Sequence, residues 1–412
     1  MKKALVLICM LAMLTVGADM LFAATGHGLN PYRSADWVRN PSRCAVTDSL
    51  DAITYNPAGI VKMADGFYVG LGNIVILKES EHEVGGTTYS ADDPSWIIPT
   101  VYLAYNQQNW SLFLNFESFD GGGKYEFSNS AGLPLFSAGL AAKGLTANVT
   151  NAEVYSSWTQ LKLGGAFELN NMVSFSAGIR YIMGKKTADF TGTMAGPSTL
   201  SYESETNLTG WGGFVGVNVA PIEGLNLAAT WFTKAVVIGE TDTTATNSLA
   251  GTLADKSEFD QDTIPAQLFL GASYQVMPGL SVSLSYLRTF SSEESYGKGA
   301  DEEYLFRYQD DEQNLAIGVE YTVMPMLTVS AGLGYAWKGG EERTYQSEFY
   351  NPDLDVLIAG LGAKITPMPG LDVTVGLMKA FFMEETSGSG ATEVTYNRDA
   401  WLISLGASYK AF

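Results

Sequence analysis

The chain has 412 residues, and its composition excludes several classes of protein before any motif is considered. It carries 44 acidic and 24 basic side chains, a formal net charge of −20, so a nucleic-acid partner is excluded because phosphate binding needs a basic surface. With two histidines and two cysteines, the sequence argues against a His-based catalytic triad, a His-rich metal site and a disulfide framework, because it supplies so few of these residues. We expect no cofactor and no metal.

The first element in chain order, residues 1–23, has the pattern of a secretory signal peptide. Two lysines precede an apolar run, and small residues come after it. Cleavage after Ala18 and cleavage after Ala23 both fit, and the sequence leaves the two open. A transmembrane anchor is the alternative, but it needs about 20 apolar residues, and Asp19 interrupts this run early. After export, Cys44 is the one cysteine left in the chain.

The next segment, residues 24–64, is predicted to be a hatch that plugs the interior of the larger domain after it. It contains the run from Thr47 to Met63, TDSLDAITYNPAGIVKM, which indicates short helical turns rather than a strand. Serine and aspartate suit the caps of such turns, and Pro57 ends the run because proline lacks the backbone donor. An ordinary turn that ends a helix is the simpler alternative for Asn56-Pro57.

Residues 65–412 are predicted to form an all-β transmembrane antiparallel barrel of about 14 strands. In Leu327–Trp337, LTVSAGLGYAW, alternate residues are apolar and end in aromatics, and the others are small or polar. A lipid-facing wall with a polar lumen has this pattern. The predicted strands are 67–77, 97–106, 110–117, 158–168, 172–184, 210–219, 225–235, 265–275, 280–289, 312–322, 327–337, 354–365, 371–380 and 399–412.

The connections between these strands alternate in length, which favours a barrel with short turns on one side and large loops on the other. Six are short, as in the repeated Met-Pro turns, and seven are long; the long ones are predicted at 78–96, 118–157, 185–209, 236–264, 290–311, 338–353 and 381–398. The sheet must close, since an open edge in hydrocarbon would leave backbone groups unpaired. A large soluble β-sandwich or propeller is the alternative.

The run DSLDAITYNPAGIVKM resembles the amino-terminal hatch motif of the FadL/TodX family of outer-membrane transporters. In that family a pattern close to Asp-Asp-Ala, followed a few residues later by Asn-Pro-Ala-Gly-Leu, comes after the signal peptide and precedes the first strand. The sequence departs from it at Leu50, where an acid is common, and at Ile60, where leucine is usual. The matching residues are Asp51, Ala52, Asn56, Pro57, Ala58 and Gly59.

The resemblance implies passive uptake of hydrophobic molecules, either long-chain fatty acids or aromatic hydrocarbons, across a Gram-negative outer membrane. Cargo would enter a surface capture groove, pass to a lumen site gated by the hatch and leave sideways through the barrel wall. It also implies a monomer in contact with outer-membrane lipid and lipopolysaccharide, and no enzymatic activity.

The longest connection, 118–157, is the predicted place of the capture groove. It contains SAGLPLFSAGLAAKGL, an apolar stretch near a surface that should be polar. A buried loop helix is the alternative. The candidate ligand-binding residues here are Leu133, Leu135, Phe136 and Leu140.

Two further sites are predicted. Gly121, Gly122 and Gly123 end the third strand and could kink the wall there, because glycine weakens strands and marks bulges; a flexible loop start fits equally well. For a carboxylate head group the candidates are Arg180 and Lys185, with Lys364 as a weaker third, and each could instead balance a lumen acid such as Glu320.

Three rival functions remain open. A diffusion porin for small hydrophilic solutes would show a large, steady open current, and the hatch argues against it. An outer-membrane hydrolase would need a catalytic base, and His82, the one histidine beyond the N-terminal segment, has no evident catalytic partners in the sequence. Surface adhesion through the acidic loops leaves the hatch unexplained.

Overall fold

The fold is a closed antiparallel β-barrel with a short chain segment inside it, as the alternating sequence predicts. The structure, a computed structural model, describes residues 33–128, 147–194, 199–247, 251–293, 297–298, 311–338, 354–387 and 393–412. The predicted signal peptide lies outside these residues. No helix among them is apolar and long enough to cross a membrane.

Fourteen strands form the wall, and five of them contain a break or a short added segment. Gly297–Lys298 extends β9 by pairing with β8. The strands are β1 (Gly66–Val84), β2 (Thr87–Ala91 and Ser95–Gln107), β3 (Trp110–Ser128), β4 (Ala147–Asn170), β5 (Val173–Met194), β6 (Thr199–Ile222), β7 (Leu225–Phe232 and Ala235–Asn247), β8 (Gly251–Ile264 and Gln267–Met277), β9 (Leu280–Thr289), β10 (Glu312–Met324), β11 (Leu327–Trp337), β12 (Val356–Met368), β13 (Leu371–Phe382 and Glu385–Ser387) and β14 (Val394–Lys410).

The first and last strands close the barrel. β1 pairs with β14 without interruption from Tyr68–Lys410 to Val84–Val394. Beyond the ladder, the amide of Phe67 donates to the carbonyl of Phe412 at 3.2 Å, and the two rings stack at 6.1 Å. The predicted count of strands, their order and their closure are therefore confirmed.

The six predicted short turns are confirmed as well, and together they define one end of the barrel, here called the lower end. Two of the three Met-Pro turns contain a glycine with a positive φ, 82° at both Gly279 and Gly370, and the third has Met326 at that position. A side chain with a Cβ rarely adopts this conformation, so the first two turns need glycine.

The predicted long connections are wrong at several places, because much of them is strand. β4 begins at Ala147 and β5 continues to Met194, and only four residues separate β5 from β6. These extensions stand above the apolar band: their inner faces carry a buried apolar cluster that includes Tyr125, Phe127 and Val154, and their outer faces carry partly exposed charged side chains such as Lys124 and Glu153. The alternation that identifies a lipid-facing strand is absent there, so the sequence alone suggested loops.

Residues 33–63, here called the inner segment, lie inside the barrel toward its lower end. They form two short helices, α1 (Ala35–Arg39) and α2 (Ala52–Tyr55), and a 3₁₀ helix, Pro57–Lys62. The Ser34 hydroxyl caps α1 by accepting from the amide of Trp37 at 2.9 Å. Nearly all of the inner segment is buried.

Lumen-facing glycines let the inner segment lie directly on the wall. A Cβ on Gly271 of β8 would lie 2.3 Å from the Cys44 carbonyl carbon, and one on Gly360 of β12 would lie 2.5 Å from the Val38 carbonyl oxygen. The small residues predicted to face a lumen therefore face the backbone of this segment.

Candidate functional site

The hatch motif residues lie at the centre of the barrel and are all buried. Asn56 Nδ2 donates to the Val46 carbonyl at 3.0 Å and to Asn218 Oδ1 of β6 at 2.8 Å. The first bond ties the inner segment to itself, and the second ties it to the wall. A short side chain with two donors is needed at this position, which explains the asparagine.

The next three motif residues shape the turn after Asn56. Pro57 starts the 3₁₀ helix, where a backbone donor is not needed. The Ala58 carbonyl accepts from the Ser174 hydroxyl of β5 at 2.6 Å. A Cβ on Gly59 would lie 2.4 Å from Asn56 Nδ2, so only glycine leaves the asparagine in place.

An ionic network holds the first half of the inner segment against β10. Glu320 Oε1 accepts from Arg39 Nη1 at 2.9 Å, from Arg43 Nη1 at 2.9 Å and from Asn40 Nδ2 at 3.0 Å. Arg43 also donates two hydrogen bonds of 2.8 Å to the carboxylate of Asp51. Burial penalises such charges unless they are paired, and this network pairs them. Glu320, which was predicted to be an acidic side chain facing the lumen, therefore binds the inner segment.

Burial and neighbouring charges shift two groups of the inner segment in opposite senses. Burial favours the neutral form of Asp36, but the charges of Arg39, at 2.8 Å, Arg43 and Lys364 together outweigh this effect and lower the pKa of that carboxyl. Burial raises the pKa of the Cys44 thiol to about 12, against a smaller opposing effect of Ser285. Cys44 is therefore a neutral thiol at ordinary pH.

A second ion pair lies on the opposite side, where α2 meets β3 and β4. Glu117 and Lys162 are fully buried, with 2.7 Å between Oε1 and Nζ. Oε1 also accepts from Gln160 Nε2 at 2.8 Å, and Oε2 accepts from the Thr54 hydroxyl at 2.6 Å. Lys162 Nζ donates further to the Ile53 carbonyl at 3.2 Å. Groups of the wall and groups of the inner segment together therefore provide the hydrogen bonds of this ion pair.

Above the inner segment the barrel interior is lined mainly by apolar side chains, with the buried cations Lys78, Arg180 and Arg398 among them, and not by the small polar residues that the sequence predicted for the lumen. Aromatic rings continue upward from Tyr55, whose ring centroid lies 6.5 Å from that of Phe269, and Phe269 lies 5.1 Å from Phe232. The wall adds buried apolar side chains from many strands. Examples are Ile76, Phe119, Ile182, Phe232, Leu287 and Leu402.

Below the inner segment the interior contains several charged side chains. A cavity of about 830 Å³ opens there between the inner segment and the short turns. Its lining includes Arg43, Lys62, Glu320 and Lys364. An apolar molecule that moved downward would have to displace water from these charged groups. Passage of hydrophobic solutes through the lower end is therefore unfavourable.

The wall itself is incomplete between β2 and β3. Their ladder runs from Gln107–Trp110 up to Thr100–Glu117 and stops there. β2 nevertheless starts its second part at Ser95 and β3 continues to Ser128. We call this unpaired stretch the wall gap: Ser95–Pro99 on one side and Ser118–Gly123 on the other. At its upper limit the Glu126 amide donates to Asp93 Oδ2 at 2.6 Å.

The residues on both sides of the wall gap explain why pairing fails. The Ile98 amide donates to Asn73 Oδ1 of β1 at 2.9 Å, so the next residue, Pro99, presents its nitrogen toward β3. Proline has no N–H to donate there. On β3 the register with β4 shifts twice between Ser118 and Gly123, and φ is +107° at Gly121. The glycine run predicted to kink the wall thus lies in an irregular strand at the gap.

The structure does not bring the two predicted head-group cations together. Arg180 is fully buried in the lumen, where Nη2 donates to the Thr233 carbonyl at 2.7 Å. Lys185 lies five residues further along an uninterrupted register, which places it on the outer face, 3.1 Å from Glu205. Lys364 lies at the lower cavity and contacts Asp48 at 3.2 Å.

The predicted capture-groove residues Leu133, Leu135, Phe136 and Leu140 lie outside the described residues, so the groove stays a prediction. Sequence patterns did not single out Thr54, Glu117, Lys162 or the role of Pro99. For three of these residues the sequence did contain a signal. Pro99 is a proline within an alternating run, and Glu117 and Lys162 are opposite charges at lumen positions of neighbouring strands.

No protein-family model and no curated protein sequence matches the chain. Solved structures do. The structure is similar to a FadL homologue of Pseudomonas aeruginosa, with a TM-score of 0.74 and 15% identity over 94% of this chain and 100% of that one. It is similar to the P. putida toluene transporter TodX, with a TM-score of 0.71 and 13% identity over 93% and 99%.

The Ralstonia pickettii toluene transporter TbuX has a TM-score of 0.66 and 16% identity over 93% of this chain and 99% of that one. At these identities, the TM-scores establish a shared fold and nothing beyond it. The chain therefore has the fold of the FadL/TodX-type channels, and the resemblance seen in the hatch motif is confirmed at that level.

Proposed function

We propose that this protein is a passive channel for hydrophobic molecules in a Gram-negative outer membrane, and not an enzyme. The observation that carries the proposal is the large cluster of buried apolar side chains above the inner segment, with the wall gap beside this cluster and several charged groups around the cavity below. The named functions of its structural neighbours, toluene transport among them, support the same class of cargo.

The proposed route starts in the apolar upper interior, whose buried aromatic and aliphatic side chains suit fatty acids or aromatic hydrocarbons. The inner segment, acting as a hatch, closes the way down, and the polar cavity beneath it makes that way unfavourable. The wall gap offers a way out toward the acyl chains of the bilayer. Phe119 belongs to the apolar interior and also stands on the β3 side of the gap, so it links the two.

The proposal extends to the protein's surroundings. A monomer suffices, since interior, hatch and gap belong to one chain, and the partners are the hydrophobic ligand, outer-membrane lipid and lipopolysaccharide. Capture of the ligand at the predicted surface groove, through Leu133, Leu135, Phe136 and Leu140, belongs to the same proposal.

Uptake measurements test the function directly. Cells with and without the protein are given a labelled long-chain fatty acid, a labelled monoaromatic hydrocarbon and a labelled hydrophilic sugar. We expect faster entry of at least one hydrophobic compound and no change for the sugar. In planar bilayers we expect no large steady current. Sugar entry together with a steady open current would instead show a diffusion porin.

A further inference from the structure

One hydroxyl group joins the inner segment to both edges of the wall gap. The Thr54 hydroxyl donates to Glu117 Oε2 of β3 at 2.6 Å, and it lies 3.1 Å from the Tyr102 hydroxyl of β2. Because a threonine hydroxyl has a single hydrogen, Tyr102 is the donor in the second contact. All three side chains are buried.

These contacts lie at the foot of the wall gap. Glu117 belongs to the uppermost pair of the β2–β3 ladder, with Thr100, and Tyr102 lies two residues below Thr100 on the same face. The unpaired stretch of β3 begins at the residue after Glu117. Thr54 thus bridges β2 and β3 where their backbones cease to do so.

We propose that Thr54 and Glu117 are positioning residues that couple the inner segment to the wall gap. While α2 is in place, the hydroxyl bridge restrains β2 and β3 and keeps the gap narrow. When cargo displaces α2, Glu117 keeps Gln160 and Lys162 of β4 as partners but loses its link toward β2, and the gap widens. The inference rests on the proposed function, since it specifies how that function is regulated.

The geometry also predicts which part of the inner segment moves. Glu320 holds Arg39, Asn40 and Arg43 of the first half by charged hydrogen bonds on the far side, at β10. At the gap the second half is held by the Thr54 hydroxyl and by Lys162 Nζ, which donates to the Ile53 carbonyl, and the salt bridge of Lys62 with Glu168 holds its end. A displacement confined to the second half leaves the Glu320 network intact.

Hydrogen exchange measured by mass spectrometry on the purified protein in lipid nanodiscs tests the coupling. Thr54→Val keeps the shape of the side chain and removes the bridge, and Thr54→Ser restores a hydroxyl. We expect Thr54→Val to raise the exchange rate of the Ser118–Gly123 amides about tenfold, as loss of one hydrogen bond to a charged group implies, and Thr54→Ser to stay near wild type. Tyr102→Phe, a second variant, should shift exchange in the same direction by less.

Glu320→Gln is the matched control, because it removes a carboxylate that holds the inner segment away from the gap. We expect it to leave exchange at Ser118–Gly123 unchanged. Unchanged exchange in Thr54→Val, or an equal rise in Glu320→Gln, would overturn the coupling. A rise specific to Thr54→Val in a protein that takes up no hydrophobic compound would uphold the coupling and defeat the proposed function.

Discussion

Asn56 Nδ2 lies 2.8 Å from Asn218 Oδ1, and this contact ties the centre of the hatch motif to β6. Asn56→Ala removes one buried hydrogen bond from the Val46 carbonyl and one from Asn218 Oδ1, which keeps its bond from Asn226 Nδ2. We expect a loss of about 1–3 kcal/mol in the free energy of unfolding. Chemical denaturation in lipid vesicles measures it, and Asn207→Ala, on the outer face, is the neutral control.

Gly271 tests the close approach between wall and inner segment. A Cβ there would lie 2.3 Å from the Cys44 carbonyl carbon and 2.5 Å from the Ala45 nitrogen, both backbone atoms that cannot rotate away. We expect Gly271→Ala to cost about 1–3 kcal/mol through overpacking. Gly213→Ala, whose Cβ would meet nothing closer than 3.4 Å, is the matched control. Equal stability of the two variants would contradict this packing.

Pro99 tests the origin of the wall gap. Pro99→Val supplies a backbone N–H toward β3 at the first unpaired position, so we expect the ladder to extend and the gap to narrow. The expected result is a severalfold slower initial uptake of the hydrophobic cargo with unchanged expression. Pro221→Val, at the lower end of β6, should have no effect. An unchanged uptake rate in Pro99→Val would separate the gap from the exit route.

Lys162 tests the buried ion pair. Lys162→Met leaves the Glu117 carboxylate in an apolar environment without its counter-charge, and we expect a loss of about 3–5 kcal/mol in stability. The double variant Glu117→Leu/Lys162→Met removes both charges and should regain most of the loss. Chemical denaturation of the two variants checks this expectation, and a double variant as unstable as the single one would refute it.

The Cys44 thiol should make the free energy of unfolding depend on pH in the alkaline range. The thiol has a folded pKa near 12, raised from an ordinary value of 9.0, so between these values the unfolded chain releases a proton that the folded protein retains. The free energy of unfolding should therefore fall as pH rises above about 9, by up to about 1.4 kcal/mol per pH unit from this group. Cys44→Ala should remove that part of the slope, which parallel denaturation series from pH 8 to pH 11 would show.

The sequence predicted the strands that face lipid, because a wall with hydrocarbon on one side must alternate. Leu327–Trp337 and Leu280–Thr289 were located to the residue or nearly so. The upper extensions were missed because water on their outer side removes that constraint. The short turns were found because proline, asparagine or glycine interrupts the alternation there, and at Gly224, Gly279 and Gly370 a positive φ favours glycine.

The interior was harder to predict. A lumen position is not restricted to one kind of residue: Gly360 touches the inner segment, Phe232 faces the apolar part and Glu117 holds a charge. Which of these a strand needs depends on the segment beside it in space, and that segment is distant along the chain. The contact of Thr54 with Glu117 joins residues that no local pattern relates.

The pairing of β1 with β14 also constrains how the molecule is made. Tyr68 pairs with Lys410, about 340 positions later in the chain. The backbone N–H and C=O groups on one edge of β1 therefore stay unpaired until β14 is available. Local hairpins can form early, but biogenesis cannot finish by adding strands one at a time to a completed structure. The unfolded chain must therefore be protected from aggregation through its unpaired strand edges. Membrane insertion and barrel closure should then occur as one late, cooperative event.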